Sequence, residues 1–119
     1  MAEDRRQSLG KLGENLACDA LEQRGYAIIA RRYRTNSGEI DIVARDGDTT
    51  VFVEVRSRAS SSAFGGARAS ITSAKRAKLL RAARFYLSRQ RTMPACRFDA
   101  LLIEGDPPRI DWIRDAFGE

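Results

Sequence analysis

The chain has 119 residues, 43% hydrophobic and 31% charged, and its 21 lysines and arginines against 16 acids give a net charge of +5. This length and composition are typical of one globular domain, here covering residues 1–119, and argue against a disordered chain. The sequence contains no histidine and only two cysteines, Cys18 and Cys96, which excludes histidine-based catalytic pairs, His-ligated zinc and a disulfide scaffold.

The first half of the chain predicts one helix followed by three strands. Leucines and alanines recur at helical spacing over residues 8–24, where Ser8 is a suitable cap and Gly25 a suitable end. Three stretches with the alternation typical of strands follow, and they cover residues 26–33, 38–45 and 49–57. In the first of these strands, Tyr26, Ile28 and Ala30 are expected to share one face.

The second half predicts a loop, a helix and two further strands. Residues 58–70 are rich in Ser, Ala and Gly and are expected to form a mobile loop. A helix is predicted over residues 71–90, and strands over 96–103 and 109–114, with a turn at Asp106-Pro107-Pro108 between them. The predicted order is α-β-β-β-α-β-β, which indicates an α/β fold with a mixed β-sheet flanked by helices.

Basic residues are concentrated in the middle of the chain. The 44 residues between Glu54 and Asp99 hold eleven bases and no acid, and 18 of the 21 bases in the whole chain are arginines. Arginine's planar guanidinium suits phosphate, so this asymmetry points to a polyanion such as nucleic acid as partner. The alternative is a solvated surface in which arginine is simply the preferred base.

No segment of the sequence predicts association with a membrane. The first ten residues are polar, and no apolar run approaches the roughly 20 residues that a spanning helix needs. We therefore expect a soluble, cytoplasmic protein with reduced thiols.

A β-hairpin gathers several charged side chains on one face. Residues alternate across each strand, so Ile40, Ile42 and Ala44 are expected to share one face of the second strand, with Val43 on the other. The polar residues expected together on that other face of the hairpin are Glu39, Asp41, Glu54 and Arg56.

The register of the hairpin depends on its turn. If Gly47 and Asp48 form a two-residue loop, Asp41 lies opposite Glu54, whereas a loop one residue earlier would place Glu39 there. Opposed carboxylates repel each other, so they need a metal, a neighbouring base or a proton. Among metals, the hard carboxylate oxygens favour Mg²⁺ or Mn²⁺. The competing interpretation is a solvated strand face on which Arg56 neutralises one of the acids.

Each of the two helices offers one further candidate. Glu14 lies at the margin of the apolar stripe of the first helix and is either an extra ligand or a surface residue. Lys75 lies on an apolar row of the second helix, where its ammonium either enters the site or extends along the surface into solvent.

Taken together, these segments resemble the YraN-like family, small and largely uncharacterised bacterial proteins placed in the PD-(D/E)XK nuclease superfamily. The resemblance covers nearly the whole chain and rests on GENLACDALEQRG, GEIDIVARD, VFVEVRSR and RFDALLI, at residues 13–25, 38–46, 51–58 and 97–103. It implies a restriction-endonuclease-like core, similar to Holliday-junction resolvases. Nucleases of this superfamily that cut both strands often form pairs, so a homodimer is also an option.

The resemblance also implies roles for individual residues. Asp41 and Glu54 match the metal-binding carboxylates, with the carbonyl of Val55 as a further ligand. Glu14 matches an acid from the first helix and Lys75 the base of the later helix. The residues expected to hold the nucleic-acid backbone are Arg58, Arg68, Lys75, Arg76 and Lys78.

One position departs from the pattern of the superfamily, because Arg56 stands where the E-x-K element usually has lysine. Arginine stays protonated and is bulkier, so it is less suited to activating water, although it can still stabilise developing negative charge. The sequence therefore predicts a nucleic-acid-binding protein with a Mg²⁺-dependent nuclease-type site acting on phosphodiesters, most naturally those of DNA. The alternatives are a catalytically inactive nucleic-acid-binding or adaptor module and a protein-interaction domain.

Overall fold

The computed structural model describes residues 2–58 and 72–116. Within them, two helices and five strands follow one another in the predicted order α-β-β-β-α-β-β. The helices are α1 (Ala2–Gln23) and α2 (Ser73–Ser88). The strands are β1 (Ala27–Arg34), β2 (Glu39–Asp46), β3 (Thr49–Arg58), β4 (Ala95–Glu104) and β5 (Arg109–Ile113). Apart from the backbone of Arg58, the loop predicted over residues 58–70 lies outside the described residues.

The five strands form one mixed sheet in the order β1-β2-β3-β4-β5. Three neighbouring pairs are antiparallel, whereas β3 and β4 are parallel because the chain returns through α2 between them. The β2–β3 hairpin turns at Gly47 and Asp48, and Gly47 has a φ of +60°, a value that glycine adopts at little cost. Ile42 consequently lies opposite Val53, which confirms the first of the two predicted registers.

Apolar side chains form a separate core on each face of the sheet. On one face, Ala17 and Leu21 of α1 pack with Ile42, Val53 and Leu101. On the other face, α2 packs through its buried residues against β2 and β3, in a cluster comprising Ile40, Val43, Phe52, Leu79, Ala82 and Ala83. The fold thus has three layers, with the sheet between the two helices.

The strand alternation predicted from the sequence is wrong at two positions. Ala30 packs on the α2 face although Tyr26 and Ile28 pack on the α1 face, because a β-bulge shifts the β1–β2 register between Ile28 and Ala30. Ile40 also packs on the α2 face, opposite to Ile42.

The irregular backbone of the neighbouring strand β1 explains why the side chain of Ile40 faces α2. In β1, Arg32 has a φ of +50° and lies between the paired residues Arg31 and Tyr33, whose partners in β2 are Ile42 and Ile40. This left-handed residue breaks the pleat, and the side chains on either side of it no longer alternate regularly. The regular alternation of side chains is therefore interrupted in both strands next to Asp41.

Among the described residues, neither helix has an apolar stretch long enough to cross a membrane. Helix α1 instead packs closely on the sheet, since a Cβ at Gly13 would collide with the side chain of Ser57.

Candidate functional site

Strands β2 and β3 part at Asp41. Their backbone pairing ends at Ile42 and Val53, and in the same register Val55 would lie opposite Ile40. The amide of Val55 instead donates a hydrogen bond to Asp41 Oδ2 (2.8 Å). The carboxylate of Asp41 therefore occupies the opening between the two strands. There it accepts a hydrogen bond from an amide of β3 at a position where the pairing with β2 has ended.

Glu54 brings a second carboxyl group to the same opening. It follows Phe52 on the face of β3 that α2 covers, while Val51 and Val53 point to the α1 face, as the alternation in this strand predicts. The carboxyls of Glu54 and Asp41 lie within hydrogen-bonding reach of each other. The expected convergence of these two acids is thereby confirmed.

The proximity of the two carboxyls changes their protonation. Burial raises the pKa of Glu54 to about 8, and the negative charge of Asp41 and its hydrogen bond add to this effect. The positive charges of Arg56 and Lys75 offset only part of the increase. Burial also raises the pKa of Asp41, although the Val55 amide and Glu54 favour its ionised form. At pH 7 and without a metal, Glu54 therefore stays largely protonated beside Asp41.

The pair opens into a groove of about 500 Å³, which we call the acidic-pair groove. Its wall contains Glu39 and Val55 as well as the polar turn between β1 and β2, and its basic residues are Arg34, Arg56, Lys75 and Lys78. Lys75 lines the groove, so of its two predicted orientations the structure shows the one toward the site.

Helix α2 reaches the groove because it packs tightly on the β1–β2 turn. A Cβ at Gly38 would collide with the backbone carbonyl of Lys78, so only glycine permits this approach. Thr72 caps the start of the helix, and its hydroxyl accepts a hydrogen bond from the Lys75 amide (3.2 Å). The first two turns of α2 place Lys75 and Lys78 in the groove beside the two acids.

The donors in the groove match a divalent cation that retains part of its water shell. Asp41 and Glu54 supply hard carboxylate oxygens, the ligands that Mg²⁺ and Mn²⁺ prefer. In the part of the chain that the structure describes, no group of three or more His, Cys, Asp or Glu side chains could hold a metal ion. The protein thus offers two carboxylates, a ligand number typical of magnesium sites completed by water and phosphate.

Glu14 is oriented differently from the other predicted site residues. Its buried carboxylate accepts hydrogen bonds from Arg31 Nε (2.9 Å) and Arg32 Nε (3.1 Å). The irregular backbone of Arg32 lets two consecutive side chains of β1 reach the same helix. Glu14 does not line the groove, yet its charge contributes to the raised pKa of Asp41. Its participation in metal binding stays a prediction.

The predicted nucleic-acid contacts are only partly described. Arg76 and Lys78 are exposed on α2, and Lys75 is half-buried in the groove. Arg68 and the side chain of Arg58 lie outside the described residues.

Sequence reasoning missed Arg34 as a residue of the groove. Arg34 lies opposite Glu39 across the β1–β2 hairpin and pairs with it (3.0 Å). The polar turn Thr35-Asn36-Ser37-Gly38, which directly precedes the acidic strand, was the signal for this pairing.

A second carboxylate site lies on β4, where Arg97 and Asp99 form an ion pair. Arg97 donates from Nε to Asp99 Oδ1 (2.9 Å) and from Nη2 to Oδ2 (3.0 Å). Trp112 Nε1 (3.0 Å) and the amide of Asp115 (2.9 Å) also donate to this carboxylate, which is fully buried. Trp112 packs at the edge of the core, against Tyr26.

Comparisons with known proteins extend over most of the chain. The model of the uncharacterised protein family UPF0102 matches residues 13–103. A UPF0102 protein of Ralstonia pickettii (strain 12J) is 50% identical over 113 residues, which cover 92% of this chain and 89% of the relative. A UPF0102 protein of Nitrosomonas europaea is 49% identical over 111 residues, which cover 92% of this chain and 93% of that relative. One of Herminiimonas arsenicoxydans is 46% identical over 111 residues, with 93% and 87% covered.

Proposed function

This chain belongs to the uncharacterised protein family UPF0102, and we propose that it binds nucleic acid and hydrolyses phosphodiester bonds with a divalent cation held by Asp41 and Glu54. The family name states no activity, so the proposal rests on the groove itself. It is further supported by the resemblance of the same residues to the PD-(D/E)XK pattern and to a restriction-endonuclease-like core.

The observation that carries the proposal is the convergence of the Asp41 and Glu54 carboxyls in an open, base-lined groove. Two buried acidic side chains with a purely structural role are normally neutralised by basic side chains or by several hydrogen-bond donors. Here the basic side chains nearby leave the pKa of Glu54 at about 8. A divalent cation would replace the proton and remove the repulsion, which is the behaviour of a metal site with its ligands in place.

In the proposed reaction, the residues of the groove have different roles. Asp41 and Glu54 would hold Mg²⁺ or Mn²⁺, and the Val55 carbonyl is the further ligand that the resemblance implies. When bound, the cation supplies activation of water and neutralisation of charge on a phosphate oxygen. Lys75 and Arg56 place positive charge at the same groove, where they would stabilise the charge that develops on the phosphate.

The exposed face of α2 would bind the nucleic-acid backbone. The helix carries five bases and no acid, and Arg76 and Lys78 are exposed beside the groove. Cations of this kind bind phosphate irrespective of sequence, and the resulting affinity falls steeply as salt increases. DNA is the polymer that the resemblance favours.

A second candidate function is favoured by Arg56. Because a guanidinium cannot lose its proton, this residue can bind phosphate but cannot assist proton transfer. The chain would then be a catalytically inactive binding or adaptor module. Such a module binds nucleic acid without requiring metal, and Asp41→Asn leaves its affinity intact.

The test is cleavage of labelled single-stranded, nicked and branched DNA with Mg²⁺ and with Mn²⁺. We expect wild type to cut at least one substrate, and Asp41→Asn and Glu54→Gln to lose roughly 100-fold or more in rate, because each removes a ligand charge. Asp111→Asn, which alters an exposed acid on β5, is the matched control and should cut normally.

Two results would contradict the enzymatic proposal. Salt-sensitive binding without cleavage of any substrate, unaffected by Asp41→Asn, would indicate the binding module. Absence of binding, or binding that moderate salt does not weaken, would instead indicate a protein-interaction domain.

A further inference from the structure

An aromatic ring lies exposed on the basic surface of α2. The side chain of Phe85 is 47% exposed to solvent. Of the large hydrophobic side chains that are exposed among the described residues, it is the one aromatic. Leaving so much apolar surface in water is unfavourable, by roughly 25 cal/mol per Å². Single exposed apolar residues are common, so the surroundings of Phe85 decide whether it has a role.

Phe85 shares a narrow strip of the helix surface with two bases. At 100° per residue, the direction of Phe85 around the helix axis differs from that of Lys78 by about 20°, although Phe85 lies two turns further along the helix. Arg89, three turns from Lys78, differs from it by about 20° in the opposite sense. Lys78 lines the acidic-pair groove. The strip therefore begins at the groove and reaches Phe85 after about 10 Å, the length of roughly three stacked nucleotides.

The ring of Phe85 rests on a fixed support. It contacts Tyr33 of β1, with the ring centres 6.5 Å apart, and Tyr33 in turn packs edge-on against Tyr86 at 5.3 Å. Tyr86 packs against the fully buried Phe52 at 5.7 Å. A continuous row of rings thus connects the exposed side chain to the core, and a ligand that stacks on Phe85 meets a surface that is already ordered.

Positive charge accompanies the ring. The guanidinium of Arg89 lies over Phe85, 5.7 Å from the ring centre. Helix α2 has no acidic residue that would repel phosphate. An aromatic ring paired with an arginine is a combination that binds single-stranded nucleic acid, because bases stack on the ring or on the guanidinium plane and the phosphate pairs with the cation.

We infer that Phe85, supported by Tyr33 and flanked by Arg89, is a stacking platform for an unpaired nucleobase. The inference rests on the proposed function and narrows its substrate to nucleic acid with a single-stranded segment close to the groove. A continuous duplex exposes only base edges and backbone, so it cannot place a base face on Phe85.

The experiment compares the binding of a fluorescent 15-nucleotide single strand and of its duplex by anisotropy, in EDTA to prevent cleavage. Phe85→Leu keeps apolar volume but removes the ring, and we expect it to weaken single-strand binding roughly 5- to 100-fold while changing duplex binding less than twofold. Phe85→Trp should bind the single strand at least as tightly as wild type, with quenching of the added indole. Ile110→Ala, at a similarly exposed residue on β5, should match wild type.

Three results would overturn the inference, and they separate its failure from that of the proposed function. Wild-type single-strand affinity in Phe85→Leu, with salt-sensitive binding retained, removes the platform only. Equal losses on single strand and duplex also remove it, because they show a general disturbance of α2. Absence of any nucleic-acid binding by wild type removes both proposals.

Discussion

The sheet holds two carboxylate sites whose electrostatic environments are opposite. At Asp99, burial alone would raise the pKa, but hydrogen bonds from Arg97, Asp115 and Trp112 outweigh burial and hold this pKa below its ordinary value. In the acidic-pair groove, burial and mutual repulsion dominate, so the pKa values of Asp41 and Glu54 are both raised. The difference lies in the number of donors that each carboxylate receives.

This contrast separates a carboxylate that stabilises the fold from a pair whose negative charge the protein compensates only in part. Four donor groups hold Asp99 in its ionised form. In the groove, the Val55 amide is the one backbone donor to Asp41 among the residues that the structure describes. Charge that the protein leaves uncompensated must be neutralised by a proton or by a bound cation, and raised pKa values of this kind are concentrated at functional sites.

The largest expected effect follows from removing the charge of Asp99. Asp99→Asn removes the negative charge that two nitrogens of the mostly buried Arg97 contact and leaves it, among the described acids, only the longer contact with Asp46 (3.5 Å), so we expect the free energy of unfolding to fall by about 3 to 5 kcal/mol. Urea denaturation at pH 7 measures the change. Asp111→Asn, an exposed acid on the neighbouring strand, should stay within about 0.5 kcal/mol of wild type. An equally small loss for Asp99→Asn would refute the structural role of this site.

A smaller effect of opposite sign is expected for Glu54→Gln. The folded chain keeps a proton on Glu54 up to pH about 8, whereas the unfolded chain releases it near the ordinary value of 4.5. Between these values the folded state binds more protons, so without metal the stability of wild type decreases as pH rises. Glutamine mimics the protonated acid, and the variant should be about 1 to 3 kcal/mol more stable than wild type at pH 8 but not at pH 5.

Thermal denaturation across this pH range, in EDTA, measures that difference. Glu39→Gln alters another acid of the same groove, one that is half-exposed and paired with Arg34. It should retain most of the pH dependence of wild type. If wild type and Glu54→Gln show the same dependence, the two carboxyls of the groove do not share a proton.

The sequence was sufficient to predict the elements and the convergence of the two acids. Both depend on local signals, since the alternation within β3 and the two-residue turn at Gly47-Asp48 determine which residues of the hairpin face each other. The pairing of Arg97 with Asp99 was predictable for the same reason, because residues two apart on a strand share a face.

Features that depend on irregular backbone were not predictable in this way. The bulge after Ile28 and the left-handed Arg32 reverse the faces of Ala30 and Ile40, and no residue type in the sequence marks either irregularity. The same irregularity places two arginines on Glu14, an arrangement that helical periodicity alone does not indicate.

The most direct test of the central claim is calorimetric titration of the apo protein with Mn²⁺ and with Mg²⁺ at pH 7, in two buffers that differ in ionisation enthalpy. We expect one ion per chain, release of about one proton on binding and affinity that increases between pH 6 and pH 8, because the cation displaces the proton held by Glu54. Glu54→Gln should abolish the proton release. Absence of binding at millimolar metal, or binding that releases no proton and is unchanged in Glu54→Gln, would contradict the account.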